Sequence, residues 1–258
     1  MPSIGKKPKT QNSPAPDFLF PDLPGLSDAR LLVAKRQNQP FIRRMTGGEF
    51  FVDNHTLRRF IAVAVEIVRG SAEVVTKLGQ LRAPFEALLK DPDWLSEEFK
   101  QPSGKTTMGQ GIASLLLYRS ELKDLSLSTL VVAPGLATPV HNHLAWGLVG
   151  LYQGEQEEEE YDLHDHAAET NFTPLHLRNR RLLKKGDFYE LVPPWNDVHR
   201  VRTISSEPSV SLHLLANDIG CVVRQKFDPK SGRTEPFRSG WSNAPCEEKV
   251  LPLDHSKV

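Results

Sequence analysis

The feature that most restricts the possible folds is a change of pattern after Gly109. From there to about Phe227 the chain consists of short β-type segments separated by glycine, proline, asparagine and aspartate, as in an antiparallel barrel. The segment Leu115–Tyr118 is a candidate for a buried strand. The next segment alternates with a period of two, which predicts a strand with one face turned inward: Leu125, Leu127, Thr129 and Val131 against Ser126, Ser128 and Leu130.

The residues before Gly109 are predicted to be helical. Apolar residues at helical spacing predict one helix over 56–68, with Asp53 or Asn54 as its N-cap. A second helix is predicted over 72–89, where Pro84 kinks it or divides it in two. A short helical piece follows at 91–99.

This order of elements predicts the domain organisation. Helices followed by many strands indicate an α+β arrangement, in which a helical layer packs outside the barrel. We predict a flexible arm rich in proline and lysine at 1–27 and one domain at 28–258. Within that domain the helical layer covers about 53–100 and the barrel about 110–243.

Composition narrows the function classes. The 258 residues carry 32 Lys+Arg and 32 Asp+Glu, and this balance argues against a nucleic-acid or anionic-membrane partner. With only two cysteines, a disulfide framework is not expected and a reducing compartment is predicted. The N-terminus has no apolar stretch of a signal peptide, and no run approaches the ~18 apolar residues of a membrane span. We therefore expect a cytoplasmic protein.

Three histidines carry the chemistry that the sequence predicts. His141 and His143 are two residues apart, so on a strand their side chains share one face and can bind one ion. Pro139 before them and Gly147 after them fit the ends of a barrel strand. His199 follows a glycine-led strand and a proline turn, where a facing strand would supply the third ligand. We predict a metal site on these three imidazoles, and a polar exposed strand face is the alternative.

Two other polar segments are not predicted to bind metal. His164-Asp165-His166 lies in a polar stretch without flanking apolar alternation, which favours a solvated loop. The acidic run at 155–160 is interpreted as a solvated face that balances the basic run at 178–181.

At these motifs the chain resembles the type I cysteine dioxygenase family, whose members are cupins, and specifically its bacterial branch of 3-mercaptopropionate dioxygenases. The resemblance covers about Leu115–Asn243, and its most specific segments are 138–154, 197–201, 209–213 and 227–243. It implies a mainly β (α+β) cupin, a double-stranded β-helix barrel with an N-terminal helical layer. It also implies an iron enzyme that adds both atoms of O₂ to a thiol, giving a sulfinate, with His141, His143 and His199 as iron ligands.

The resemblance further implies roles around the metal. Ser211 and His213 match two members of the outer-sphere Ser-His-Tyr relay of this family. Without the resemblance, a hydrogen-bonded pair in the protein core is an equally good interpretation of these two residues. Leu215 stands where the tyrosine is expected. Gly147 stands where many cupins have a glutamate ligand, and where the animal enzymes have a cysteine crosslinked to that tyrosine.

Two residues are candidates for binding substrate. Arg224 matches the arginine that holds the substrate carboxylate in the bacterial branch, and a surface position is its alternative. Trp146 either lines the substrate pocket or belongs to the hydrophobic core.

The expected cofactor is one Fe(II), although imidazole also suits Zn and Ni. The expected partners are a small carboxylated thiol and O₂. A metal-dependent oxygenase of a non-thiol substrate and a non-catalytic ligand-binding cupin remain as alternatives.

Overall fold

The computed structural model describes residues 47–163 and 174–246. The predicted arm at 1–27, its boundary with the domain at 28, and the pair His164 and His166 lie outside the described residues. No helix in the described part of the chain has the length and apolar character needed to cross a membrane.

Two α-helices precede the barrel. Helix α1 (His55–Arg69) begins after Asn54, whose side chain accepts a hydrogen bond from the Leu57 backbone N–H at 2.9 Å, so the predicted cap is Asn54. Helix α2 (Val74–Lys90) runs unbroken through Pro84. Proline removes one backbone hydrogen bond, and the buried apolar residues on both sides of Pro84 hold the two halves against the core, namely Leu78, Leu81, Phe85, Leu88 and Leu89. A 3₁₀ helix spans Glu97–Lys100.

The described residues form fourteen β-strands. In chain order they are β1 (Gly48–Phe50), β2 (Lys105–Thr106), β3 (Gly109–Gln110), β4 (Ile112–Ser120), β5 (Ser126–Val132), β6 (Val140–His141), β7 (Gly147–Gln153), β8 (Glu155–Leu163), β9 (Leu175–Lys184), β10 (Phe188–Leu191), β11 (Val198–Thr203), β12 (Ser209–Leu215), β13 (Arg224–Phe227) and β14 (Thr234–Phe237).

The strand order defines the architecture. Two antiparallel sheets have six strands each, in the orders β1-β4-β5-β12-β7-β10 and β14-β13-β6-β11-β8-β9, and β2 and β3 form a separate two-stranded sheet. The eight strands β5 to β12 therefore divide four and four between the two sheets, as in a double Greek-key jelly roll. This arrangement is the double-stranded β-helix of the cupins, with the helices preceding it in the chain, as predicted.

Strand β5 shows how the helical layer changes the burial pattern. All seven of its residues are buried, so the prediction of one buried face is wrong. Leu127 and Val131 belong to the cluster formed with α1 and α2, whereas Ser128 and Leu130 line a cavity between the sheets. A covering layer outside the sheet buries the second face as well.

Helix α2 approaches β7 closely at Gly150. A Cβ atom there would lie 2.5 Å from Leu89 Cδ1 and 2.9 Å from Phe85 Cε1. The absent side chain thus allows the helix to pack directly on the strand backbone.

The two cysteines, for which no disulfide was expected, form one between Cys221 and Cys246. This bond ties the segment after β14 to the segment between β12 and β13. It removes the cysteine-based argument for a reducing compartment. The cytoplasmic location stays a prediction.

Candidate metal centre

The three predicted ligands meet inside the barrel. His141 on β6 and His199 on β11 are direct cross-strand partners, and His143 follows β6 by two residues. The ring centroids are 4.8 to 5.0 Å apart, and the candidate ligand nitrogens all lie within 4.8 Å of one another. All three side chains are buried.

The outer nitrogen of each ring has an acceptor that sets its tautomer. Nδ1 lies 2.9 Å from the Pro139 carbonyl in His141, 3.3 Å from the Asp197 carbonyl in His143, and 2.6 Å from Glu158 Oε1 in His199. Because a carbonyl or carboxylate only accepts, Nδ1 carries the hydrogen and Nε2 keeps a free lone pair. The Nε2 atom of His199 is buried and has no hydrogen-bond partner within the described residues.

This donor set fits a divalent metal. Burial and the neighbouring imidazoles lower the pKa of His141 and His143 well below the usual value, so both rings are neutral and ready to act as ligands. A buried lone pair without a partner, next to two more neutral imidazoles, is the arrangement that an imidazole-bound metal requires.

Asp197 holds the segment that carries His143. Its carboxylate accepts hydrogen bonds from the backbone N–H of His143 at 2.8 Å and of Leu144 at 3.1 Å. Leu144 has a φ of 56°, which is unusual for a non-glycine residue, and the carboxylate helps to hold it there. The segment that supplies His199 therefore also positions His143.

Gly147 leaves no room for a carboxylate ligand. A Cβ atom there would lie 1.9 Å from the Leu214 carbonyl oxygen, which belongs to the neighbouring strand β12. Any side chain at this position would break the strand pairing. Among the described residues, the metal-ligand cluster contains only the three histidines.

The cavity beside these histidines is lined by both sheets and by the segments that follow them. Its lining residues are Met108, Ser114, Ser128, Leu130, His141, His143, His213, Leu215, Ile219, Arg224 and Ser239.

The predicted pair on β12 reaches this cavity. Ser211 Oγ lies 3.0 Å from His213 Nε2, and the His213 ring centroid is 6.2 Å from that of His143. Burial, together with the nearby His199 and Arg224 side chains, lowers the pKa of His213 to about 3, so the ring is neutral. Leu215 is fully buried at the cavity wall and packs with Leu116, Ile219 and Trp241.

Arg224 is a buried cation at the cavity wall, and the surface alternative is wrong. Its Nη1 donates to the Asn142 carbonyl at 2.6 Å and its Nη2 to Ser239 Oγ at 2.7 Å, whereas its Nε has no partner within the described residues. Burial lowers the pKa of Arg224 to about 10, which still leaves it charged at neutral pH. The nearby charge of Asp197 acts to raise the pKa of Arg224, but the burial of the guanidinium has the larger effect.

Trp146 lies elsewhere. Its ring packs against the core cluster shared with the helices, and it is not among the cavity-lining residues. The structure therefore supports the interpretation of this tryptophan as a core residue. Its large apolar ring removes more apolar surface from water between the helices and the sheet than it would beside the polar cavity.

Glu158 is a residue of this site that no sequence pattern indicated. The interpretation of the acidic run as a solvated face is wrong, since Glu158, Glu159 and Glu160 are all buried. The expected pairing with the basic run is present, because Arg181 lies 2.5 Å from Glu158 and Arg180 lies 2.5 Å from Glu159. Burial by itself raises the pKa of Glu158, but His199 and Arg181 outweigh it and lower the pKa to about 2.

Several solved structures are similar to this chain over about half its length. Peruvianin-I, a cysteine peptidase from Thevetia peruviana latex, is 22% identical over 51% of this chain and 77% of its own, with a TM-score of 0.35. A double-stranded β-helix protein from Klebsiella pneumoniae is 19% identical over 48% and 89%, with a TM-score of 0.32. An oxalate oxidase is 16% identical over 50% and 62%, with a TM-score of 0.35. No family model matches the chain.

Similarity at these TM-scores carries no argument, so the class of protein rests on the geometry above. The order of the eight barrel strands and the buried histidine cluster define a protein with a cupin-type barrel and a candidate metal centre.

Proposed function

We propose that the chain is a mononuclear non-haem iron thiol dioxygenase that converts a small carboxylated thiol, such as 3-mercaptopropionate or cysteine, to its sulfinate. One observation carries the proposal: in the described part of the chain, a cluster of three imidazoles lies beside a cavity that is also lined by a buried guanidinium whose Nε has no hydrogen-bond partner. The imidazole cluster can bind a metal, and the guanidinium of Arg224 can bind an anionic substrate. The resemblance to the cysteine dioxygenases implies that both features serve one reaction, in which the metal and the arginine bind the same substrate.

His141, His143 and His199 would hold the iron through Nε2. When bound, iron supplies the site at which thiolate sulfur and O₂ are brought together. The overall reaction, R–SH + O₂ → R–SO₂H, transfers both oxygen atoms to sulfur, so it needs no external reductant. A set of only three protein ligands leaves positions for both reactants.

The other cavity residues orient the substrate. Arg224 Nε is a donor without a partner among the described residues, whereas Nη1 and Nη2 each already donate one hydrogen bond, to Asn142 and Ser239. A substrate carboxylate that accepts from this nitrogen would be held by a charge-assisted hydrogen bond within the cavity. Ser211 holds the neutral ring of His213 by the contact at Nε2, which fixes that ring at the cavity wall beside His143.

The test is oxygen consumption by protein loaded with Fe(II) without air and then supplied with small thiols. We expect O₂ uptake that depends on a carboxylated thiol and yields a sulfinate of the same carbon skeleton. Iron-loaded protein that takes up O₂ with a non-thiol acid instead would favour the other oxygenase class, which the apolar side chain of Leu215 also suits. Protein that binds acids but consumes no O₂ would favour a ligand-binding cupin.

A further inference from the structure

The three candidate ligands differ in the group that contacts the outer ring nitrogen, Nδ1. The outer nitrogens of His141 and His143 face the backbone carbonyls of Pro139 and Asp197, and that of His143 also lies 3.5 Å from Asp197 Oδ1. The outer nitrogen of His199 faces the carboxylate of Glu158 at 2.6 Å, which is the shortest of these contacts. Among the three imidazoles, His199 is therefore the one whose outer nitrogen forms a hydrogen bond with a carboxylate in the described part of the chain.

Glu158 is held rigidly in this position. Its side chain is completely buried, and its second oxygen, Oε2, accepts from Arg181 Nε at 2.5 Å. The guanidinium of Arg181 lies 3.9 Å from the ring centroid of Tyr189, and the Tyr189 hydroxyl lies 3.3 Å from His199 Nδ1. The carboxylate thus has contacts on both oxygens, and its position does not depend on a flexible surface side chain.

Glu158 shares its arginine partner with a second buried carboxylate. The Nη2 atom of Arg181 lies 2.8 Å from Glu160 Oε1. Glu160 also pairs with Arg178, whose Nη2 lies 3.1 Å from Glu160 Oε2, so this group contains two carboxylates and two guanidiniums. Its member closest to the histidine cluster is Glu158.

We propose that Glu158 is a positioning residue that holds His199 with Nε2 towards the metal and passes negative charge to the metal through the ring. This inference rests on the metal centre of the proposed function. A carboxylate behind a ligating imidazole raises the basicity of that imidazole and fixes its orientation, and loss of such a partner typically weakens metal binding about 10–100-fold. Added negative charge also stabilises the more highly charged Fe(III) state over Fe(II).

The strand itself supplies a matched control. Glu159 is the next residue, is 3% exposed, and pairs with Arg180 and Arg200, but it has no contact with the histidine cluster. Glu158→Gln and Glu159→Gln each remove one buried, arginine-paired carboxylate from β8. Only the first removes the partner of a candidate ligand.

The experiment measures the affinity for Co(II) by chelator competition and the Fe(III)/Fe(II) midpoint potential in the wild type and both variants. We expect Glu158→Gln to weaken Co(II) binding about 10–100-fold and to raise the midpoint potential, whereas Glu159→Gln leaves both values unchanged. Equal changes in the two variants, or no change in Glu158→Gln, would overturn the inference. A wild type that binds no Co(II) would instead refute the metal centre.

A second variant separates charge from damage to the fold. Arg181→Gln removes the cation that attracts the Glu158 carboxylate, so more negative charge acts on His199. We expect the midpoint potential to fall in this variant, opposite to Glu158→Gln. A rise of the midpoint potential in Arg181→Gln would contradict the proposed role of Glu158, and this measurement is possible even if Glu158→Gln proves too unstable to measure.

Discussion

His141 and His199 lie directly opposite each other in the antiparallel pairing of β6 with β11, and their ring centroids are 5.0 Å apart. Directly opposed residues point to the same face of a sheet, so the register of these two strands places the third ligand beside the first. His143 completes the cluster from the segment that follows β6, where the Asp197 carboxylate accepts a hydrogen bond from its backbone N–H.

The first prediction concerns the ligands. His141→Ala and His199→Ala each remove a metal ligand. Loss of a residue that only hydrogen-bonds to a ligand typically weakens metal binding about 10–100-fold, so each of these substitutions should weaken it by more than that. Metal content after loading and desalting is the measurement. His55→Ala is the control, since His55 is exposed at the start of α1 and lies outside the cluster. Full metal occupancy in both ligand variants would contradict the assignment.

The second prediction concerns Arg224. Arg224→Gln should weaken the apparent affinity for a carboxylated thiol by about tenfold to a hundredfold, because a hydrogen bond to a charged group contributes roughly 1.5–3 kcal/mol. The metal content should not change. The measurement compares 3-mercaptopropionate with 3-mercaptopropanol in oxygen-uptake assays.

Arg233→Gln is the control for Arg224, because it removes the same charge from an exposed side chain. If the wild type used the acid and the alcohol equally well, Arg224 would have no role in binding a carboxylate.

The third prediction concerns Leu215. Leu215→Tyr should place a hydroxyl two residues beyond His213 on the same face of β12 and raise the turnover of a small thiol. The wall is already filled by Leu116, Ile219 and Trp241, so the larger ring should lower the free energy of unfolding by about 1–3 kcal/mol. Chemical denaturation and oxygen uptake are the two measurements.

Leu215→Phe separates the two effects, because it adds similar bulk without the hydroxyl. The tyrosine variant should be faster than the phenylalanine variant at similar stability. Equal rates in the two, with iron bound, would show that Leu215 does not occupy the place of a lost relay member.

The fourth prediction concerns Gly147. Gly147→Ala should lower the free energy of unfolding by at least about 1–3 kcal/mol, because the new Cβ meets a backbone oxygen of the adjacent strand, which cannot move aside without breaking the pairing. Gly79→Ala in α2 is the control. Nothing lies within 4 Å of a Cβ there, so alanine should stabilise the helix by about 0.5–1 kcal/mol. Comparable destabilisation by both substitutions, measured by urea unfolding, would contradict the steric argument.

Much of the fold was predictable because it follows from local periodicity. The predicted 56–68 and 72–89 helices correspond to α1 and α2 within two residues at each end, since apolar spacing and the Asn54 cap are local properties. The three-histidine cluster was predictable from motif spacing, although the prediction that His143 shares a strand face with His141 is wrong, because β6 ends at His141. Arg224, Ser211 and His213 were found through a resemblance, and the structure brings His213 and Arg224 into the cavity with the histidines.

What the sequence by itself determined is the set of elements and the three-histidine motif, because both depend on spacing along the chain. The tertiary structure alone decided which side chains are buried. Glu158 belongs to a run of charges that has the composition of a solvated face, and only the register of β8 against β11 places it behind His199. In the same way, only the helical layer buries the outer face of β5 and leaves Ser128 and Leu130 to line the cavity. Register and layer contacts join residues far apart in the chain, so no local pattern encodes them.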